Sequence, residues 1–145
     1  MQEKLDARPP TVTTPETDPE LDKGPAAVII SENAPAPIVV VCEHASLELP
    51  KGLGNLGLTE SERHSHIAWD PGAAAVAEHL AKALGSVLVK QRYSRLVYDC
   101  NRPPTSPDAM RAKSENTIIS GNQNLPEAAR QWRTDNIYTS FHNAV

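Results

Sequence analysis

The 145-residue sequence has few cysteines, no long apolar run and no excess of basic charge. Its formal net charge of -4 predicts no basic surface that would draw nucleic acid or an anionic membrane. No apolar stretch approaches the length of a membrane span, and the first residues have no signal-peptide core. Cys42 and Cys100 lie in apolar segments, which favours buried thiols over a disulfide or a ligand pair. These absences predict a cytoplasmic protein without nucleic-acid or membrane partners.

The N-terminal segment differs in composition from the remainder of the chain. Residues 1–25 are rich in proline, threonine and acidic residues, with few large apolar groups to offset the entropy of ordering them. We therefore expect a disordered tail at 1–25. Residues 26–145 are long enough for one domain with a core of its own, and they hold all the predicted helices and strands.

Short β-branched apolar runs predict strands at 26–30, 38–42, 86–89 and 95–100. Thr59 and Glu62 have capping-box spacing, which predicts a short helix. A second helix is predicted between Pro71 and Gly85, with an apolar stripe made of Val76, Ala77, Leu80, Ala81 and Leu84. The order of elements predicts an α/β fold with a mixed or parallel sheet flanked by helices.

The C-terminal third is predicted to hold a long ordered loop and one helix. The loop covers 103–124, which is rich in proline, serine and asparagine. Pro126 opens the helix, in which Ile137, Phe141 and Val145 fall on one stripe.

Polar residues suited to chemistry follow two of the predicted strands. Glu43 and His44 come directly after the strand at 38–42, and Arg95, Asp99, Asn101 and Arg102 lie in and after the strand at 95–100. In open α/β sheets, sites form beyond the carboxyl ends of strands. An imidazole with a carboxylate is typical of a zinc site, and an arginine with an asparagine suits a substrate carboxylate.

Each candidate also has a purely structural interpretation. His44 could be a hydrogen-bonded residue at a strand end, and Asp70 could be the N-cap of the helix that follows it. Asp99 could form an ion pair with an arginine, and His142 could be an exposed helical residue. His64 and His66 are expected to be exposed, and their i, i+2 spacing would not face one site on a helix.

Four ordered segments resemble the N-formylglutamate amidohydrolase family, and the match runs from about Val28 to Val145. The segments are Cys42-Glu43-His44-Ala45-Ser46 with Pro50, the stretch from His66 to Ala73, the stretch from Tyr93 to Pro103, and the stretch from Ser114 to Asn122. The resemblance implies an α/β domain of the zinc-carboxypeptidase or phosphorylase/hydrolase-like type. It also implies a zinc-dependent amidohydrolase that splits an N-acyl amino acid, such as N-formyl-L-glutamate, into the acid and the free amino acid.

The resemblance also implies roles for individual residues. In the wider group a His-x-x-Glu motif supplies two metal ligands; His44 matches the histidine, but Leu47 stands at the position of the glutamate. We take Asp70 as the substitute ligand, with Glu43 and Glu48 as fallbacks. The substrate carboxylate is assigned to Arg95, Asn101 and Arg102.

Two departures from the family pattern qualify these expectations. Ser120 replaces a proline that usually precedes Gly121 and Asn122, and the family domain continues beyond Val145 with a motif expected to give a third ligand and the catalytic base. We therefore expect weak zinc binding, an incomplete domain, and self-association through exposed apolar area. The alternatives to an active enzyme are an inactive fragment and a non-catalytic module that binds carboxylates.

Overall fold

The computed structural model describes residues 18–145, which build a three-stranded sheet with helices. The strands are β1 (Ala27–Ile30), β2 (Val39–Cys42) and β3 (Val87–Gln91), in the spatial order β1-β3-β2. β3 pairs antiparallel with β1 and parallel with β2, so the sheet is mixed. Because β2 and β3 are parallel, their carboxyl ends meet at one edge of the sheet, where the Glu43-His44 pair begins.

Two α-helices separate β2 from β3, after a short 3-10 helix at Lys51–Leu53. α1 (Glu60–His64) begins at the predicted capping box, in which Thr59 and Glu62 bind each other's backbone amides. α2 (Ala73–Leu84) ends at Gly85, whose φ of 62° is in the left-handed region that glycine favours. The capping box of α1 and the end of α2 at Gly85 are as predicted from the sequence.

The predicted apolar stripe of α2 is only partly buried. Ala77 and Ala81 pack against the sheet, whereas Val76 is 68% exposed and Leu80 and Leu84 are also exposed. The small alanines let the helix lie close to β2 and β3, which leaves the larger side chains of the stripe in solvent. The prediction of burial is therefore wrong for the larger residues, and self-association through such apolar area stays a prediction.

The predicted strand at 95–100 is absent. Residues 95–100 form turns, and their side chains are mostly buried. The reason lies in the hydrogen bonds of this segment: its carbonyl groups bind side chains from other parts of the chain, such as Gln91 with the Tyr98 carbonyl, instead of a neighbouring strand. The segment is apolar because it belongs to the core.

The C-terminal part follows the prediction in outline. The predicted loop contains a short antiparallel hairpin, β4 (Lys113–Ser114) and β5 (Thr117–Ile118), and a 3-10 turn at Ser120–Asn122. After Pro126 come α3 (Glu127–Arg133), a π-helical segment (Thr134–Thr139) and α4 (Ser140–Ala144). Ile137 and Phe141 are fully buried as predicted. Val145 is 52% exposed, because it lies beyond the last helical residue.

The predicted tail at 1–25 lies mainly outside the described residues. Its last part, 18–25, contacts the domain: Asp22 Oδ1 accepts a hydrogen bond from the Lys51 amide at 2.7 Å, and the Tyr93 hydroxyl donates to the Gly24 carbonyl at 2.9 Å. Leu21 also packs on the core. This differs from the expectation of a disordered segment up to residue 25. Within residues 18–145, no helix has the length and apolar character needed to cross a bilayer.

Candidate active site at the end of β2

His44 lies two residues beyond β2, with its imidazole between two carboxylates. Its Nε2 is 2.8 Å from Asp99 Oδ1, and its Nδ1 is 3.1 Å from Asp70 Oδ2. The Asp99 side chain is 2% exposed, whereas that of Asp70 is 51% exposed. The imidazole therefore joins a buried carboxylate to one that solvent reaches.

Arg95 connects the same two carboxylates from the other side. Its Nη1 donates to Asp70 Oδ1 and its Nη2 donates to Asp99 Oδ2, each at 3.2 Å. The four side chains of His44, Asp70, Arg95 and Asp99 thus form a closed ring of hydrogen bonds. Both terminal nitrogens of Arg95, which the family resemblance assigns to substrate, are engaged by this ring.

Backbone contacts hold the ring members in place. The Asp70 amide donates to the His44 carbonyl at 3.0 Å, which fixes the start of the α2 segment against the end of β2. The Asp99 amide donates to the Ala109 carbonyl at 2.8 Å, and Asp99 Oδ1 also accepts from the Asn101 amide at 3.1 Å. Asp99 is therefore a fixed acceptor for His44.

The ring shifts the pKa of both members of its central pair. The hydrogen bond to Asp99 raises the pKa of His44 above its usual range, although burial opposes this. Burial alone would raise the pKa of Asp99, but the hydrogen bond to His44 and the charges of His44 and Arg95 outweigh it and hold that pKa below its usual range. Protonated His44 and ionised Asp99 therefore stabilise each other.

A cleft of about 610 Å³ opens beside His44, between β2 and α2. Its polar lining comes from Glu43, His44 and Asp70, and its apolar lining includes Val40, Val76 and Leu80. Arg95, Asn101 and Arg102 do not line it. Asn101 and Arg102 are exposed in the turn after Asp99, where the Arg102 amide donates to the Asp99 carbonyl at 2.9 Å.

Several structural interpretations can be judged from these contacts. The expected ion pair of Asp99 is confirmed with Arg95. The N-cap interpretation of Asp70 is wrong, because Gly72 occupies that position and the Asp70 carboxylate binds His44 and Arg95. Cys42 and Cys100 are buried free thiols, as predicted.

The remaining histidines lie outside the ring. His64 and His66 are exposed, and His66 binds Glu115 at 2.9 Å. His142 is exposed on α4, with its Nε2 2.9 Å from the Cys100 carbonyl. Asp99 is the site residue whose role sequence reasoning missed: its place four residues after Arg95 indicated an ion pair, and nothing in the pattern indicated a bond to His44.

The residues of this site match part of a zinc site. His44 Nδ1 and Asp70 Oδ2 are a nitrogen and an oxygen of the types that zinc binds, and they lie 3.1 Å apart. Catalytic zinc sites usually have three protein ligands. Among residues 18–145, no group of three or more histidine, cysteine or acidic residues could hold a metal ion. The described residues therefore fit two ligands and do not make a complete site.

The chain is an α/β protein with a mixed sheet. Its polar site lies at the carboxyl end of a parallel strand, where a histidine is held between two carboxylates. The family model for N-formylglutamate amidohydrolase matches residues 36–145, so the chain belongs to that family. This confirms the resemblance seen in the sequence.

One solved structure is similar over most of this chain. It is the crystal structure of gene product Atu2144 from Agrobacterium tumefaciens, with 49% sequence identity and a TM-score of 0.83. The match covers 84% of this chain and 48% of that one, so this chain spans about half the length of its structural neighbour. No match was found among curated proteins.

Proposed function

We propose that this chain carries part of the active site of a zinc-dependent amidohydrolase that acts on an N-acyl amino acid of the N-formylglutamate type. The single observation that carries the proposal is the arrangement at His44. Buried Asp99 holds its Nε2, and its Nδ1 faces the exposed Asp70 carboxylate beside a cleft. Membership of the family supports the reaction class.

The neutral form of His44, which a bound cation would favour by displacing the Nδ1 proton, suits this arrangement to a metal ion. In the neutral imidazole only one ring nitrogen carries a proton, and a hydrogen bond at one nitrogen decides which. Both carboxylates can only accept, but the bond to buried Asp99 is the shorter, at 2.8 Å against 3.1 Å for Asp70, so we place the proton of the neutral ring at Nε2. The lone pair of Nδ1 then faces the Asp70 carboxylate at 3.1 Å, and two acceptors so close together favour a metal ion between them. Zinc bound there would supply a water of lowered pKa and polarise the acyl oxygen.

The substrate carboxylate is the second part of the proposal. The two terminal nitrogens of Arg95 bind Asp70 and Asp99, so we assign Arg95 to holding the ring. Arg102 and Asn101 are exposed in the next turn, and the salt bridges found among residues 18–145 do not include Arg102. A guanidinium can bind a carboxylate by two parallel hydrogen bonds, so we propose Arg102, with Asn101, as the substrate-carboxylate site. The wider likeness to zinc carboxypeptidases is part of the same proposal.

Substitution of Arg102 by glutamine is expected to weaken binding of N-formyl-L-glutamate about tenfold or more, because a hydrogen bond to a charged group contributes about 1.5–3 kcal/mol. Nuclear magnetic resonance titration of the purified chain would measure this. Lys82→Gln is the matched control, since it removes one positive charge from an exposed position on α2. Equal affinities of the Arg102 and Lys82 variants would overturn the assignment. Binding without turnover would favour the carboxylate-binding module, and no binding by the unmodified chain would favour the inactive fragment.

Zinc is expected to bind weakly, with a Kd above about 1 µM, because the described residues supply two ligands. Isothermal titration calorimetry would measure this, and His44→Ala is expected to abolish the binding. His79→Ala is the control, since His79 bonds to a carbonyl of its own helix. A tight one-to-one site with hydrolysis of N-formyl-L-glutamate would show that the ligand set is wrong, as would binding that survives His44→Ala.

A further inference from the structure

Side chains from elsewhere in the chain hold the turn segment before and after Asp99. Four of its backbone carbonyls bind side chains from elsewhere in the chain, at distances of 2.8–3.1 Å. The pairs, in chain order of the carbonyls, are Leu96 with Asn122 Nδ2, Val97 with Arg133 Nη1, Tyr98 with Gln91 Nε2, and Cys100 with His142 Nε2. We call Gln91, Asn122, Arg133 and His142 the carbonyl cradle.

Three members of the carbonyl cradle are themselves deeply buried. Gln91 is 1% exposed, Arg133 is 2% exposed and Asn122 is 4% exposed. Arg133 has no carboxylate partner among the salt bridges of residues 18–145; its Nη1 donates to the Val97 carbonyl and to Asn122 Oδ1 at 2.7 Å. Burial lowers the pKa of Arg133 to about 10, which leaves it charged at neutral pH. Burying such groups is costly, and the hydrogen bonds to the turn offset that cost.

The ring of His44, Asp70, Arg95 and Asp99 requires the chain to turn between Arg95 and Asp99. In an extended strand, the Cα atoms of two residues four apart would lie about 13 Å from each other. The side chains of arginine and aspartate would stand roughly perpendicular to the strand and would not meet across that distance. In the turn, Arg95 Nη2 and Asp99 Oδ2 lie 3.2 Å apart, and Asp99 reaches His44. A conformation without strand pairing leaves carbonyls that need other partners, and the carbonyl cradle supplies them.

We propose that the carbonyl cradle positions Asp99 and Arg95 on His44, so that Gln91, Asn122, Arg133 and His142 are positioning residues for the site. That this site belongs to an active site rests on the proposed function, but the positioning itself involves neither metal nor substrate. The cradle joins β3, the 3-10 turn at Ser120–Asn122 and the C-terminal helical segment to one turn of the chain.

The test compares two isosteric variants of the metal-free chain by nuclear magnetic resonance. Asn122→Asp removes the Nδ2 donor to the Leu96 and Arg111 carbonyls and keeps the oxygen that accepts from Arg133. Asn136→Asp is the control, because Asn136 Nδ2 donates to Trp132 in its own helix. One readout is the proton on His44 Nε2, which the bond to buried Asp99 protects from solvent exchange. The other is hydrogen exchange at the amides of Val97, Asp99 and Arg102.

In Asn122→Asp we expect loss of the His44 Nε2 proton signal and at least ~5-fold faster exchange at the three amides, because each lost hydrogen bond contributes about 1 kcal/mol. We expect neither change in Asn136→Asp. A folded Asn122→Asp with the His44 signal and the exchange rates of the unmodified chain would overturn the proposal.

Arg133 provides an independent pair of variants if Asn122→Asp is too unstable to study. Arg133→Lys keeps one donor and the charge, so it is expected to retain the His44 signal, whereas Arg133→Met is expected to lose it. Rescue by lysine would support positioning. Equal behaviour of Arg133→Lys and Arg133→Met would overturn it, whether both variants kept the signal or both lost it. Because neither readout uses zinc or N-formyl-L-glutamate, failure of the proposed function would leave these results unchanged.

Discussion

Replacing Asp99 with alanine is expected to lower the free energy of unfolding by about 3–5 kcal/mol, the typical cost of removing one partner from a buried charged pair. The Asp99 carboxylate accepts hydrogen bonds from His44, Arg95 and the Asn101 amide, and its side chain is 2% exposed. Its loss leaves these donors without their acceptor in a place that water reaches poorly. Urea unfolding at pH 7 would measure the change.

Asp108→Ala is the matched control for this substitution. Asp108 is exposed, and removal of its carboxylate is expected to change stability by no more than about 0.5 kcal/mol. If Asp99→Ala costs as little as Asp108→Ala, the ring of His44, Asp70, Arg95 and Asp99 does not stabilise the fold. Asp99→Asn would then show whether the negative charge or the shape of the side chain affects stability, since the amide keeps one acceptor but loses the negative charge.

The same residue connects stability to the proposed metal site. A carboxylate that holds the second nitrogen of a metal-binding histidine typically changes metal affinity by 10–100-fold. Whatever weak zinc binding the chain shows should therefore fall by about that factor in Asp99→Asn. An unchanged zinc affinity would mean that His44 does not bind zinc through Nδ1.

Structural features that depend on residues close together in the chain could be predicted from the sequence. Thr59 with Glu62 marks the start of α1, Gly85 marks the end of α2, and the β-branched runs mark β1 to β3. His44 could be placed at the end of β2 for the same reason. Each of these features depends on neighbours in the chain, and those are visible in one sequence.

The turn at 95–100 could not be predicted in the same way. Its apolar residues looked like a strand because they are buried, but its carbonyls bind Gln91, Asn122, Arg133 and His142. Three of these partners lie more than twenty residues away, and no periodicity connects them to the turn. The link between His44 and Asp99, 55 residues apart, was hidden for the same reason.

The α2 stripe was misjudged because spacing alone does not decide which residues of a stripe face the core. Val76, Ala77 and Leu80 all recur at helical spacing, but the helix lies so close to the sheet that only small side chains such as that of Ala77 fit between them. That distance depends on the whole packing arrangement. The exposed Val76 and Leu80 then become part of the wall of the cleft beside His44.

Stability of the metal-free chain is expected to fall as the pH rises above 6.5 and through the raised pKa of His44. The hydrogen bond to Asp99 raises the pKa of His44 above its value of 6.5 in an unfolded chain. A raised pKa means that the folded state binds the proton more tightly. The stabilisation is therefore complete below pH 6.5 and is lost as the pH rises through the pKa of the folded state.

At acid pH the change in stability has the opposite sign, because stability falls as the pH falls. The pKa of Asp99 is below its ordinary value of 3.8, so its contribution is present above that pH and is lost as the pH falls through the lowered pKa. The pair is thus most stabilising between pH 3.8 and pH 6.5, the ordinary pKa values of the two groups. Urea unfolding over a pH series, with a chelator present, would give the profile.

His44→Gln is expected to remove the loss of stability on the alkaline side, because glutamine does not titrate. His79→Gln should keep it, since the His79 ring bonds to the Ala75 carbonyl at 2.7 Å and not to a carboxylate. An alkaline profile that persists in His44→Gln would show that another group causes it. In that case the hydrogen bonds to Asp99 and Asp70 would not favour the protonated form of His44 over the neutral form.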